Sequence, residues 1–420
     1  MTIVATTLRA VAEVSLGRQR SPQHAEGPYM MPYLRAANVK DGVLDLTDVQ
    51  EMNFSPAEQE IFSLSPGDVL VTEGSGSLGT VGASAVWRGE LPGMVCYQNT
   101  LLRLRPREIT DGRFLGWWAR SAFGTGVFAS IATGANIHHL SAERVRTLPI
   151  RLPPLEEQRR IADFLDAETS RIARLIALRS HQASLISSYL SARVSETYEE
   201  LLGQYGAIRL RHVLMGIEQG WSPQCEDRPA EQGEWGVVKA GCVNSGVFDP
   251  RQHKALPVDV TPRTEYRLNA GDLLMSRASG SPSLIGSVGV VGEYEGNLLL
   301  CDKLYRISLD KTRMAAGFVA HMLRSHRVRE HIKNGISGAD GMANNLPTGV
   351  VKDCVLPNIP LACQEQISRG LERVTKEASY ARSLIERSRE LLVEHRQALI
   401  TAAVGGQFDV STANGRGVEE

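Results

Sequence analysis

The segment Gly74-Ser75-Gly76-Ser77-Leu78-Gly79 has the GxGxxG spacing of a phosphate-cradling loop and follows the apolar run VLVTE at 69–73. A dinucleotide site needs a helix next, its N-terminus facing the pyrophosphate. TVGASAVW at 80–87 instead reads as a second strand, and the later stretch Gly280-Ser281-Pro282-Ser283-Leu284-Ile285-Gly286 keeps neither the spacing nor a helix. Nucleotide binding is therefore excluded. A Gly/Ser hairpin remains, a tight turn or a close approach to a ligand backbone, with Ser75, Ser77, Ser279 and Ser281 as candidate contacts. His138-His139 is an adjacent pair, and neighbours on a strand face opposite sides, so a shared metal is not expected. No Lys follows a Gly, which rules out GxxxxGK[ST]. There is no HExxH, and no Asn or Asp precedes Pro-Pro-aromatic, the tetrapeptide with which amino-methyltransferases hold the target amine. The six cysteines lack CxxC spacing and read as reduced, mostly buried thiols. The chain carries no evident catalytic constellation.

What it does carry is polar loop residues of the types that read base edges in a major groove: Arg, Lys, Asn, Gln and His. They recur at matched places. Arg35, Asn38 and Lys40 answer Lys239, Cys242 and Asn244. Gln98, Asn99 and Thr100 are set against Lys303, Leu304 and Tyr305. Asn136, His138 and His139 lie where Asn344 and Asn345 lie, just before Leu140 and Leu346. Trp221 and Arg277 complete the candidate set. For any single one of them, a solvated loop residue is the commoner fate. The two copies differ most here, as expected if each reads a different sequence.

The elements that must position these residues form a tandem duplication with a period of 204–206. RAANVKDGVLD (35–45) aligns with KAGCVNSGVFD (239–249), LSPGDVL (64–70) with LNAGDLL (268–274), and, after a three-residue insertion, Gly79-Thr80-Val81-Gly82 with Gly286-Ser287-Val288-Gly289. Phe114 and Arg120-Ser121 fall opposite Phe318 and Arg324-Ser325. Pro154-Leu155, Gln158, Ile161 and Leu165 match Pro360-Leu361, Gln364, Ile367 and Leu371. Each half begins with short strand-like runs broken by Gly, Pro and Asn, with a helical patch near Phe114–Phe128 in the first. Each ends in a long Pro-free helical pattern, about Leu155–Leu202 and Leu361–Val404, the second stopped by Gly405-Gly406. Some 45 residues at 1.5 Å each give helices of about 65–70 Å, too long to bury an apolar stripe on one small domain. The two stripes are expected to pack on each other as an antiparallel coiled coil. The expected fold is α+β: two mixed, mostly β domains at 1–153 and 205–359, separated by long helices at 154–204 and 360–406, pseudo two-fold symmetric, with a flexible tail at 407–420.

At 420 residues, with 42% hydrophobic and 22% charged residues, the chain is globular and divides into two to four domains. Neither a signal peptide nor a membrane span is expected, and the location is read as cytoplasmic. The net charge of −1 argues against a bulk polycation but not against a basic face. Of 46 basic residues only eight are Lys, and Arg is the side chain that pairs bidentately with guanine or phosphate, although a GC-rich genome also favours Arg.

The segment Leu152-Pro153-Pro154-Leu155-Glu156-Glu157-Gln158-Arg159-Arg160-Ile161, followed by Phe164-Leu165-Asp166, resembles the start of the central helix in specificity subunits of type I restriction–modification systems. Ile359-Pro360-Leu361-Ala362-Cys363-Gln364-Glu365-Gln366-Ile367 is similar to the start of their second helix, with Ala362-Cys363 in place of the acidic pair. The likeness extends over essentially the whole chain. It implies a noncatalytic subunit in which two target recognition domains each bind half of a bipartite site on double-stranded DNA. The helices would set the spacer and dock two modification (methyltransferase) subunits, joined by restriction (translocase/nuclease) subunits. Glu156, Glu157, Arg159, Arg160, Gln364 and Gln366 are the candidate docking residues. No cofactor is expected on this chain; S-adenosylmethionine, ATP and Mg belong to the partners. Two other readings stay open. A stand-alone methyltransferase or nuclease would transfer methyl groups or cut without partners, and a coiled-coil adaptor would show no sequence dependence in DNA binding.

Overall fold

The computed structural model describes residues 4–337 and 344–407. The expected tail beyond Gln407 lies outside them. The chain forms two compact units, residues 1–177 with 389–420 and residues 178–388.

In the first unit a four-stranded antiparallel sheet runs in the order Ala12–Leu16, Leu101–Pro106, Val69–Thr72, Ser84–Val86. Val, Leu and Ala fill these strands, and both faces of Val69–Thr72 are buried, so it reads as a continuous apolar run rather than an alternating one. A second sheet places Met30–Leu34 between Cys96–Tyr97 (parallel) and Gln50–Asn53 (antiparallel). Val4–Thr7 pairs with Pro149–Leu152, tying the start of the domain to the residues that lead into the long helix Leu155–Tyr205.

The second unit repeats this plan. Its four-stranded sheet orders Leu214–Gln219, Leu304–Leu309, Leu273–Ser276 and Val288–Val290. Trp235–Val238 lies between Asn297–Leu299 (parallel) and His253–Ala255 (antiparallel). Ala207–Arg209 pairs with Val355–Pro357, just ahead of the helix Leu361–Val404. The Ser65-Pro66-Gly67-Asp68 turn shows why the repeated Gly-Asp matters. Gly67 and Gly271 take φ of +97° and +91°, open to glycine at little cost. The Asp68 and Asp272 carboxylates accept from the amides of Ser65 (2.8 Å) and Asn269 (2.9 Å), closing each turn before its strand.

Each core is sealed by the start of one long helix and the end of the other, as antiparallel helices would supply. In the first unit these are Ile161, Ala162 and Leu165 with Ile400, Ala403 and Val404, packed on Phe114, Trp117 and the sheet. In the second they are Leu371 with Val194, Tyr198 and Leu201, packed on Phe318 and Ile307. Each buried Ile, Leu or Val among them contributes about 1.5–3 kcal/mol. Not every apolar residue of the long helices is covered. Leu178, Leu185, Tyr189, Tyr380 and Leu384 are each more than half exposed, because pairing two helices covers only part of a stripe read from three-and-four spacing.

At both helix starts one glutamine fastens the domain. The Gln158 Oε1 accepts from the Asp111 amide (2.8 Å), and its Nε2 donates to the Ile109 and Pro153 carbonyls. Gln364 makes the same three bonds, to the Ala315 amide and the Arg313 and Ile359 carbonyls. Both are fully buried. Gln364 is thus a scaffold residue and is withdrawn from the candidate docking set.

Candidate nucleic-acid interface

In the first unit the strand Val69–Thr72 ends at Glu73, where three loops meet. The Glu73 amide donates to the Thr100 carbonyl (2.8 Å), and its carbonyl accepts from the Leu140 amide (2.8 Å). Ser75 pairs with His138 and Gly74 with His139 in a two-stranded ribbon. Thr100 Oγ1 accepts from the Ala36 amide (3.0 Å), drawing in the Arg35 turn. The Asn99 amide donates to the Arg18 carbonyl and the Gln98 amide to the Leu34 carbonyl, each at 2.9 Å. One surface therefore gathers Arg35, Ser75, Gln98, Asn99, Thr100, His138 and His139. Ser77 and Asn136 stand exposed on its loops.

The hairpin is held by its own hydroxyls. Ser75 Oγ lies 2.5 Å from Thr80 Oγ1 and accepts from the Ser77 amide. His139 Nδ1 lies 3.2 Å from both Glu73 oxygens, which orients an exposed imidazole. Glu73 was missed in the sequence; an acidic residue ending a buried strand was the available signal. Asn38 is corrected. It is 2% exposed, accepting from the Arg35 amide and donating to the Asp45 and Asp48 carbonyls, so it builds the turn rather than a contact surface. Lys40 is exposed on the small hairpin pairing Val39–Lys40 with Val43–Leu44, not on the loops that meet at Glu73.

In the second unit the Arg277 amide donates to the Lys303 carbonyl (2.8 Å) and the Leu346 amide to the Arg277 carbonyl (2.9 Å), the same joints as Glu73 with Thr100 and Leu140. Thr100 is therefore the counterpart of Lys303, and Leu102 that of Tyr305, which corrects the pairing of Gln98 with Lys303 by two residues. Tyr305 is accordingly 5% exposed, its hydroxyl donating to the Leu346 carbonyl (2.8 Å). It supports the site from beneath, with the Arg277 guanidinium over its ring.

Lys239, Lys254 and Lys303 line one hollow of about 330 Å³ with Ser222 and Asp302. Lys303 pairs with Asp302 (3.1 Å) and Lys254 with Asp227 (2.9 Å). Burial alone would raise the Asp302 carboxyl; bonds from the Ser222 hydroxyl and the Lys303 ammonium outweigh it and hold the group below its ordinary range. Lys254 was missed, although a scarce Lys was a usable signal. Trp221 is anchored by its amide to the Leu300 carbonyl, under the Arg263 guanidinium. Asn345 bridges Ala278 and Ser337 beside Asn344, and Ser281 donates its amide to Ser279 Oγ (3.2 Å). Asn244 is not part of this face. It lines a cavity with side chains of both long helices.

At the first long helix, Glu156 pairs with Arg159 (2.9 Å) and Glu157 with Arg160 (2.6 Å), local i,i+3 pairs that also suit the positive helix N-terminus. Gln366 is exposed. Among the described residues no three His, Cys, Asp or Glu side chains cluster to hold a metal, and no helix is long and apolar enough to cross a membrane. The six cysteines are free, and burial pushes the Cys96 and Cys354 thiols up to about 12.

Residues 6–178 match the family described as the type I restriction modification DNA specificity domain. The chain is 23% identical over 420 residues to the EcoKI specificity subunit of Escherichia coli K12, covering 96% of this chain and 88% of that one. The chain is thus similar along nearly its whole length to specificity subunits of type I restriction–modification systems. The StySPI specificity subunit of Salmonella potsdam is 24% identical over 427 residues, with the same coverage. A solved structure from work on complex assembly and conformational transition of the type I restriction–modification system superposes with a TM-score of 0.69 at 18% identity, covering 97% of this chain and 98% of that one. The HsdS subunit from Thermoanaerobacter tengcongensis gives a TM-score of 0.50 at 18% identity, covering 97% of each. Those likenesses show the α+β fold with two similar domains.

Proposed function

We propose that the two recognition faces each read one half of a bipartite site on double-stranded DNA, the first through its His, Gln, Asn and Ser loops and the second through Lys239, Lys254, Lys303 and Arg277. The observation that carries this is the repeated joint at Glu73 and Arg277. It presents loops at equivalent places with different side chains, as two readers of different sequence require. Phosphate contacts position such a protein, and base-edge contacts specify the sequence.

The chain itself is noncatalytic in this reading, and methyl transfer and cleavage belong to its partners. Two modification subunits carrying S-adenosylmethionine dock along the long helices, whose exposed Leu178, Leu185, Tyr189, Tyr380 and Leu384 form the available apolar surface. Restriction subunits with ATP and Mg join that complex in the cytoplasm. The helices set the spacer between half-sites. Methylome sequencing of cells expressing this chain with its modification subunit tests the reading. A methylated motif with two defined halves and a fixed gap is expected. A contiguous motif, or methylation independent of this chain, would refute it.

A further inference from the structure

Gly42 and Gly246 occupy the same turn in the two units, with φ of +78° and +79°. Across each lies a matched arginine, Arg120 in the helix Gly112–Gly124 and Arg324 just past the helix Ala316–Met322. A Cβ on Gly42 would sit 2.5 Å from the Arg120 guanidinium carbon, and one on Gly246 would sit 2.4 Å from that of Arg324. In the first unit the residue before the glycine is Asp41, which receives the guanidinium through Nε (2.9 Å) and Nη2 (3.2 Å). In the second unit that residue is Ser245. Its hydroxyl is spent on its own turn, donating to the Val247 carbonyl (2.9 Å).

Arg324 has no ion pair or side-chain hydrogen bond among the described residues. It borders a cavity of about 180 Å³ together with Arg382, and no Asp or Glu lines that cavity. Ser187 and Ser191 reach it from one long helix and Ser379 from the other, while Asn244 and Ser245 close it from the turn. Burial lowers the Arg324 pKa with no opposing charge to offset it. A guanidinium nonetheless stays protonated, and a half-buried charge without a counterion is costly, while Arg382 beside it is exposed. The space is small beside the 300–1,000 Å³ of ordinary ligand pockets, yet it exceeds the roughly 30 Å³ share of a single water several-fold. Two guanidinium donors, the Ser191 and Ser379 hydroxyls and the Asn244 amide match a tetrahedral oxyanion, with Arg offering the bidentate fork that such oxygens accept.

We propose that the second unit binds a free inorganic oxyanion of the phosphate or sulfate type between Arg324 and Arg382, where the first unit uses its built-in Asp41 carboxylate. The ion joins the Ser245 turn to both long helices within that unit.

Equilibrium dialysis of the full chain with labelled inorganic phosphate, at constant ionic strength in chloride, tests this. One saturable site per chain is expected, with at least a tenfold loss of affinity in Ser245→Asp, which supplies the carboxylate internally. The same variant should have a higher melting temperature in phosphate-free buffer and a smaller phosphate-induced rise. Arg382→Gln should also weaken binding, and sulfate should compete. Absence of a saturable site in the unaltered chain, or full phosphate binding by a folded Ser245→Asp variant, would overturn the proposal. Displacement of the bound phosphate by a DNA duplex would assign the site to a backbone phosphate instead and overturn the free-ion assignment.

Discussion

At Arg120 the first unit meets a guanidinium with the carboxylate of Asp41, while at Arg324 the second unit leaves the matching guanidinium facing a hydroxyl-lined cavity. Three residues earlier the units differ again. Trp117 lies under Arg120, with the guanidinium 4.6 Å from its ring, and the equivalent residue in the second unit is His321. Beneath these differences the scaffold is shared: Gln158 and Gln364 make the same three bonds, and Thr169 and Thr375 each donate to the carbonyl four residues back. The lesson is that the duplication preserved the groups whose loss would leave buried polar atoms unpaired. Groups outside that bonded set diverged, inside the units as at Trp117 and His321 as well as on their surfaces.

The largest test of the shared scaffold is removal of its glutamine. Gln158→Ala strands a buried amide and two carbonyls, at about 1–3 kcal/mol for each group that water cannot reach. We expect a loss of about 4 kcal/mol confined to the first unit, and Gln364→Ala should cost the second unit a similar amount. Hydrogen exchange followed in each unit would show this, and a large asymmetry between the two would break the equivalence.

Acid should separate the units next. Burial, and then the charge of Arg324, lower the His321 pKa to about 4, with Glu372 pulling the other way. The unfolded chain titrates near pH 6.5 and so binds more protons between about pH 6.5 and 4. His321 therefore costs nothing above pH 6.5, and stability falls as pH drops through that window, by about 3 kcal/mol at most. The second unit should melt first at pH 4.5, and His321→Leu should remove the difference. Equal acid sensitivity of both units in denaturant titrations monitored by exchange would count against it.

On DNA the comparison sharpens further. Lys303→Ala should relax only the second half-site and His139→Ala only the first, each by about 1–3 kcal/mol if the contact is to a base edge. A phosphate contact would instead weaken all sequences alike and reduce the salt slope by about one. Competition binding with half-site variants distinguishes the two, and loss of discrimination in both halves from one change would contradict independent readers.

The smallest effect is expected at the paired arginine. Asp41→Ser makes the first unit resemble the second and should cost about 1 kcal/mol, since the pair is only partly buried. Inorganic phosphate should then restore part of that loss. No response to phosphate would show that the second site depends on its serines and Arg382 rather than on the arginine alone.

Much of this architecture was legible in the residues. The duplication, the Gly-Asp turns, the two helix starts at Leu155 and Leu361, and the choice of hairpin over nucleotide loop at Gly74–Gly79 all follow from local chemistry and from repetition. The partners of individual side chains were not legible. Asn38 and Tyr305 look like surface readers because their types suit recognition, yet both are buried supports. The two-residue slip between Gln98 and Lys303 arose because the loop before that strand repeats no residue, and only strand pairing sets its register.

By itself, then, the sequence determined which elements form, since apolar period, glycine and proline act over a few residues, and also that they form twice. Which side chains meet was decided by tertiary structure alone. Arg120 finds Asp41 across 79 positions, and Lys239, Lys254 and Lys303 surround one hollow from three separate elements. Such contacts depend on how sheets and helices pack, and spacing along the chain carries no record of that.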